Sequence, residues 1–560
     1  MKRAFALLLS LLMLCSLLTA CGGGNETAGG DEKEQETQGS QTDTPDNTNA
    51  PDEVQTLSIL YSAEPSVLDV ARFLGIADRS LFYNVLEPLV RIENGVPAAA
   101  GAESWSFSDD DLTLTFTLRD NCWSDGQPVT SEDYATALRR QADPKNAFAF
   151  ASDYYAIVNF EAVSTGEMDA DALGIETPDD KTLVLHLTAP TPALLSSSEF
   201  FPCRADVAEA CGDTFGTEAD KTPCCGPFVL TEWTHNSALK LEKNEKYWNA
   251  DNILLQSATL NIIPDSNAQL ASFENGSLDY LTVSDADYVK KFQGRDDMSE
   301  MLIPSARTQM VVFNCKDDVF QNAKIRQAFS LAIDREMLAE VISNGTATPA
   351  YSLIPAECSV GSLNFRENAD EPLLALKAQH SDAKALLQEG MKELGLGEDT
   401  SKLTVSFAWG ATTATARTYA ELYQQMWQDA LGCVVELEFN DNSTHMSNVN
   451  QGNYQMAITS WGANIEPQFQ LSRWANKKGG QSQWQNADYN SLVSRANQTV
   501  DEKERLELYA QAEEMIVTDA AFAPVYFAAQ RRFYYNYLQG LTGNTFDTMG
   551  LSGLYTVGRE

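Results

Sequence analysis

Histidine is scarce in this chain, and so are the spacings that would make it useful. His186, His235, His380 and His445 are the four in 560 residues. They lie far apart in sequence, so no H-E-x-x-H zinc motif can be written. The G-x-S-x-G nucleophile elbow and the G-x-x-x-x-G-K-[ST] phosphate loop are missing as well. The sequence therefore points to no catalytic residue, no metal and no cofactor, and to a binding protein rather than an enzyme. Basic residues are few too: 39 Lys and Arg stand against 79 Asp and Glu, for a net charge of −40. So acidic a chain does not seek nucleic-acid phosphates. Carboxylates are so abundant that no glycosidase-like pair can be singled out. Past residue 20, no stretch approaches the roughly eighteen apolar residues of a membrane span.

What is present begins with an export signal. In MKRAFALLLSLLMLCSLLTACGGG, Lys2 and Arg3 precede a largely apolar run from Ala4 to Ala20, the pattern of a secretory leader. LTAC at 18–21 resembles the lipobox of bacterial lipoproteins, which implies a signal peptide over 1–20 and Cys21 as the lipidated mature terminus. Residues 22–53 carry nine acids, one Lys and no aromatic, Val, Leu or Ile. Such a segment cannot bury enough apolar surface to offset chain entropy, so 21–53 reads as an anchor and disordered tether. The body from 54 to 560 is long enough for roughly three domains. Of ten cysteines, Cys15 and Cys21 belong to the leader and anchor. Cys203, Cys211, Cys224 and Cys225 cluster closely, and one local disulfide is expected among them without assigned partners. A zinc site is disfavoured because no His falls within the cluster.

Periodicity alternates between two and 3.6 residues, predicting a mixed α/β body. VQTLSILY (54–61), LTLTFTL (112–118) and KTLVLHLTAP (181–190) alternate like half-buried strands. Ser131 is expected to cap a helix after the Asp125-Gly126 turn. IRQAFSLAID places Ile325, Ala328, Phe329 and Ala332 on one helical face, with Asp334 able to cap the next helix. Asp501 and Glu504 open DEKERLELYAQAEEMI in a capping-box-like way, and its apolar stripe is core material.

The order of landmarks carries a resemblance. EPSVLD (64–69) precedes a block spanning 81–134 that contains WSDGQPVTSED. CGPFVLTEW (225–233), LEKNEKYW (241–248), VVFNCKDDVFQNAKIRQAFSLAIDREML (311–338) and LYAQAEEMIVTDAAFAPVYF (508–527) follow. Together these resemble the oligopeptide- and dipeptide-binding (family 5) solute-binding lipoproteins of bacterial ABC importers. The resemblance implies a two-lobed, type II periplasmic-binding-protein-like fold with a hinged cleft and an extra inserted domain. Domain I would comprise 54–97, 223–312 and 531–560, domain II would be an insertion at 98–222, and domain III would cover 313–530. The implied function is capture of a peptide between domains I and III by a monomer, anchored to the outer face of the cytoplasmic membrane, which delivers it to permease subunits. A signalling-peptide receptor, a binder of a non-peptide solute such as an oligosaccharide, and a surface hydrolase stay open as alternatives.

The resemblance also assigns residues. Gly75 and Ile76 match a segment that runs beside the peptide, and Trp427 matches a Trp near the pocket. In TSWGANIEPQ, 459–468, Trp461 matches a site aromatic, with Ser460, Gly462 and Ala463 as adjoining backbone. Tyr526 and Phe527 match aromatics near the return to domain I. Core packing is the competing reading for Trp427 and Phe527. The family pattern places an ammonium-binding Asp where this chain has Asn464. Glu466, two residues on, is the candidate to restore that charge. A family Arg that meets ligand carboxylates is replaced by Ile458, and Arg417 is its candidate substitute.

Overall fold

The computed structural model describes residues 50–559, apart from 62, 74, 198, 344, 476–479 and 547–549 and the side chains of 76, 77 and 197. The leader, Cys21 and the tether up to residue 49 lie outside the described residues. At the start of the described chain, Asp52 is already engaged. Its carboxylate accepts from the backbone N–H of Gly558 at 2.7 Å and of Arg559 at 3.2 Å.

Three sheets of four or more strands build the body, beside three two-stranded ones among the described residues. The first pairs Thr56–Tyr61 in parallel with Ser257–Ile262, followed by Ala238–Lys243 and Phe228–Thr234 in antiparallel order. Leu57, Ile59 and Tyr61 alternate into the core, as the period-two pattern predicts. The second sheet is antiparallel and lies within the expected insertion: Ala102–Phe107, Thr113–Leu118, Thr182–His186 and Ile175–Asp179. Leu114, Phe116 and Leu118 are buried on one of its faces. Both sheets share one continuous apolar core.

The third sheet runs Tyr280–Thr282, Phe522–Tyr535, Met298–Phe313, Met456–Gly462, Thr404–Trp409 and Val434–Phe439, with Thr348–Pro349 added to the second of these. Two of its strands are unusually long, at 16 residues for Met298–Phe313 and 14 for Phe522–Tyr535. They pair with each other along nearly their whole length. One end of this ribbon lies over a small core containing Phe273, Phe292 and Phe533. The other end is sandwiched between two larger cores: Met310 and Val312 enter one, Val311 and Phe313 the other. Register slips between Pro304 and Arg307, where Ala306 sits at φ 46°. An irregularity in a two-strand connection between lobes is a place where bending disturbs little packing.

Helix caps follow local chemistry with one adjustment. Asp501 accepts from Glu504 N at 2.8 Å to open Glu502–Thr518, and Asp334 accepts from Met337 N at 3.0 Å. For Ser131–Ala142 the cap is Thr130, which forms a reciprocal box with Asp133, and Ser131 is the first helical residue. The expected disulfide is not formed. Cys203, Cys211, Cys224 and Cys225 are free thiols, and Cys203, Cys224 and Cys225 are packed into the apolar core. Burial pushes the thiol of Cys203 up to about 12 and that of Cys224 to about 11. The Cys224 thiol donates to Thr222 O at 3.3 Å. Among the described residues, no helix is long and apolar enough to cross a membrane, and no His, Cys, Asp and Glu group could hold a metal.

Candidate functional site

The 459–468 segment leaves the third sheet at its bend. Strand Met456–Gly462 pairs with the long strand from Phe313 back to Arg307, so Gly462 lies opposite Arg307. One residue on, Ala463 N donates to Ala306 O at 2.6 Å, tying the turn to the interlobe irregularity. Ser460 Oγ accepts from Arg307 Nη1 at 3.0 Å. Trp461 is held from two sides. Its indole N–H donates to Gln481 Oε1 at 3.0 Å, and the Arg473 guanidinium lies 3.4 Å from its ring centroid. Burial pushes the Arg473 guanidinium below its ordinary value, and the ring face supplies a cation–π partner.

Beyond Ala463 the chain turns over a polar underside. The Asn464 carbonyl accepts from Gln470 Nε2 at 3.3 Å and from the Cys358 thiol at 3.4 Å. Ser359 N donates to the Ile465 carbonyl at 2.8 Å. Glu466 Oε1 accepts from Gly361 N at 3.1 Å and from Arg505 Nη2 at 3.3 Å. Both side chains of that pair are almost covered, 3% exposed for Arg505 and 7% for Glu466. Burial raises the Glu466 carboxyl against the opposing pull of Arg505. Glu466 is therefore paired with Arg505 within the protein.

This turn and the short helix Gln468–Ser472 form one wall of a cavity of about 410 Å³; Ser152, Asp153, Thr191 and Leu194 line the opposite wall. Asn464, Phe469 and Arg473 face it from the turn side. A cavity of that size between two lobes, partly apolar with a few polar groups, has the character of a small-ligand site.

The remaining candidates scatter. Gly75 caps the helix Ile76–Val85 in extended backbone, and an added Cβ there would meet nothing within 4 Å. Trp427 is 0% exposed. It packs against Phe329, Phe407 and Tyr423 and donates to Phe329 O at 2.9 Å, so the structure places it in the core. Arg417 is exposed on the helix Ala414–Leu431, with its guanidinium 4.4 Å from the Phe439 ring centroid. Tyr526 and Phe527 are half-buried opposite Gln309 and Thr308. Burial raises the Tyr526 phenol to about 12. Sequence reading missed Asp153, Arg307, Gln468 and Arg473. Arg473 lies twelve positions beyond Trp461, past the turn and the short helix Gln468–Ser472, and Asp153 carries no local signal.

A two-lobed mixed α/β body, spanned by two long strands and holding a polar-edged cavity, defines a solute-binding protein with a type II periplasmic-binding-protein-like fold. Residues 97–482 match the family described as bacterial extracellular solute-binding proteins, family 5 Middle, and the chain belongs to that family. It is 30% identical over 470 residues to the dipeptide-binding protein DppE of Bacillus subtilis (strain 168), covering 82% of this chain and 84% of that one. Among solved structures it is similar to the periplasmic murein tripeptide binding protein MppA in its unliganded open form, with TM-score 0.78, 25% identity and coverage of 91% of this chain and 98% of that one. The Haemophilus influenzae OppA complex with RPPGFSPFR gives TM-score 0.68 at 25% identity, covering 91% and 100%.

Proposed function

We propose that this protein captures peptides outside the cytoplasm, between lobes that close over them, and delivers them to the permease of an ABC importer. One observation carries the reading: the cavity wall that includes Asn464 and Arg473 is hydrogen-bonded, through Ala463, to the irregular point of the two interlobe strands. Ligand contact and lobe movement therefore share the Ala306–Ala463 hydrogen bond. The better fit to an unliganded open structure than to a peptide complex supports an open, receptive arrangement here. Binding energy would then shift the population toward closure in proportion to the contacts made only in the closed state. The names of the relatives favour peptides over other solutes.

In this reading, Gly75 and Ile76 contribute backbone from domain I, Tyr526 and Phe527 supply aromatic surface near the ribbon, and Ser460, Trp461, Gly462 and Ala463 present the recognition edge. An extended peptide pairing with backbone would gain affinity with little dependence on its side chains. Asn464 adds a neutral hydrogen-bonding group. Cys21 carries the lipid that keeps the monomeric receptor beside its permease. Calorimetric titration of the full-length protein in detergent with short peptides, with free and with acetylated amino termini, tests the reading. Saturable binding of peptides is the expected result, and failure to bind any of them overturns peptide capture.

A further inference from the structure

Buried arginines in this protein come with acceptors, and Arg532 departs from that rule. Arg326 donates to the Asp519 carboxylate and to the Ala520 carbonyl. Arg335 donates to the carbonyls of Ala350 and Pro524, and Arg505 to those of Thr499 and Val500. Arg532 is 8% exposed, yet none of its nitrogens has an acceptor among the described residues, and its Nε is covered. The Tyr280 ring centroid lies 4.8 Å from its guanidinium carbon. That ring offers a face to the charge but accepts none of the in-plane N–H groups. A buried guanidinium without acceptors calls for a partner that brings them.

Strand register shows what Arg532 faces. Directly paired residues project to the same side of a sheet, and alternate residues of a strand share a face. Tyr526 pairs with Gln309, Ala528 with Arg307, Arg532 with Met301 and Tyr534 with Ser299. The slip at Pro304 adds residues only to the partner strand, so alternation from Tyr526 to Tyr534 is kept. Ser460 and Gly462 pair with Gln309 and Arg307 and join the same face. At one end of it, Tyr526 packs against the core that holds Val311 and Phe313. At the other end, Tyr534 and Tyr280 pack against the core shared by the first two sheets. Ala528, Gln530 and Arg532 lie on the stretch that bridges these cores, about 26 Å long at strand rise. Carboxylates one residue from Met301 and Tyr280 are engaged elsewhere: Glu300 meets Arg531 at 2.8 Å, and Asp279 meets Arg559 at 3.0 Å.

Building on peptide capture, we infer that Arg532 binds a carboxylate of the ligand, α-carboxylate or acidic side chain, on the ribbon between the lobes. A body of net charge −40 repels anions at long range. Admission of a carboxylate therefore depends on a local cation that no internal acid has claimed. The planar guanidinium fork matches a carboxylate in two parallel hydrogen bonds. Its place in the register puts this anchor on the same face as Tyr526, Ser460 and Gly462.

The test is calorimetry on the full-length protein in detergent with four probes: tetra-alanine, its C-terminal amide, and the C-terminal amides of Ala-Glu-Ala-Ala and Ala-Gln-Ala-Ala. The first pair reports an α-carboxylate and the second pair a side-chain carboxylate. In at least one pair the carboxylate member is expected to bind about tenfold or more tightly, the scale of a hydrogen bond to a charged group. Arg532→Gln should remove that preference, and Arg532→Lys should keep part of it. Thermal melts without peptide separate a ligand site from a structural arginine. Removing a buried charge that lacks partners relieves its desolvation, so Arg532→Gln should melt at or above the wild-type temperature. A clearly lower melting temperature for Arg532→Gln marks a structural role and overturns the assignment. Equal binding within both pairs, or a preference that survives Arg532→Gln, also overturns it while leaving peptide capture standing. Wild-type protein that binds none of the four overturns peptide capture and this site with it.

Discussion

Replacing Arg505 by Met isolates what holds the 459–468 turn in place. Arg505 Nη2 meets Glu466 Oε1 at 3.3 Å, while Nη1 donates to the carbonyls of Thr499 and Val500 at 2.9 Å each. Without the guanidinium, Glu466 keeps one donor, Gly361 N, in a nearly covered site. Removing one partner of a buried ion pair costs about 3–5 kcal/mol. Glu466→Gln should cost less, about 1–2 kcal/mol, because the amide can still accept from Gly361 and Arg505 retains its two carbonyls. The double variant leaves a neutral amide beside a thioether and should fall about 1.5–3 kcal/mol short of the sum of the singles.

Urea denaturation followed by the fluorescence of Trp461, Trp474 and Trp484, which share this lobe, measures all three variants. Acidity adds a second axis. Burial holds Glu466 above the ordinary carboxylate range. A carboxyl raised on folding takes up protons in the window above its unfolded value, so its contribution to stability falls as pH rises through that window. The Arg505→Met deficit is therefore largest where Glu466 is ionised and narrows as pH falls through its raised titration, because a protonated carboxyl needs no counter-charge. Additive single variants, or a deficit unchanged across pH, would refute the ion-pair account of the turn.

Trp427→Phe should cost about 1–3 kcal/mol and Trp427→Ala about 3–5 kcal/mol in unfolding free energy, with peptide affinity of the Phe variant unchanged by calorimetry. Gly216 sits at φ 73°, and a Cβ there would lie 2.5 Å from the Leu68 backbone, so Gly216→Ala should lose about 3 kcal/mol or more in urea melts. Asn464→Asp should favour peptides with a free amino terminus over acetylated ones by about tenfold in calorimetry. Alkylation followed by mass spectrometry should label Cys122 and Cys211 first in the native protein. Under denaturing, non-reducing conditions it should also label Cys203, Cys224 and Cys225, with no disulfide among them.

Legibility in the sequence tracked how local each feature is. LTLTFTL could be placed as a strand because its buried side chains alternate within a few residues, and Asp501 could be placed as a cap because its partner is Glu504. The two long interlobe strands were harder. Their pairing joins residues more than two hundred positions apart, and MSEMLIPSARTQMVVF breaks alternation where it bends. For Trp427 the core reading was legible beside the resemblance: its helix is amphipathic, and Trp427 falls on the buried face with Tyr423 and Leu431. Glu466 looked available from the sequence because Arg505 lies 39 residues away. Asp153 was invisible for the same reason, since it meets Asn464 only across a cavity lined by residues about three hundred positions apart.

Native mass spectrometry of the full-length protein, incubated with an equimolar pool of short peptides and released from detergent, tests the central claim most directly. Peptide capture predicts one retained peptide per protein molecule, with adduct masses drawn from the pool. Folded protein that retains no peptide from the pool would contradict it.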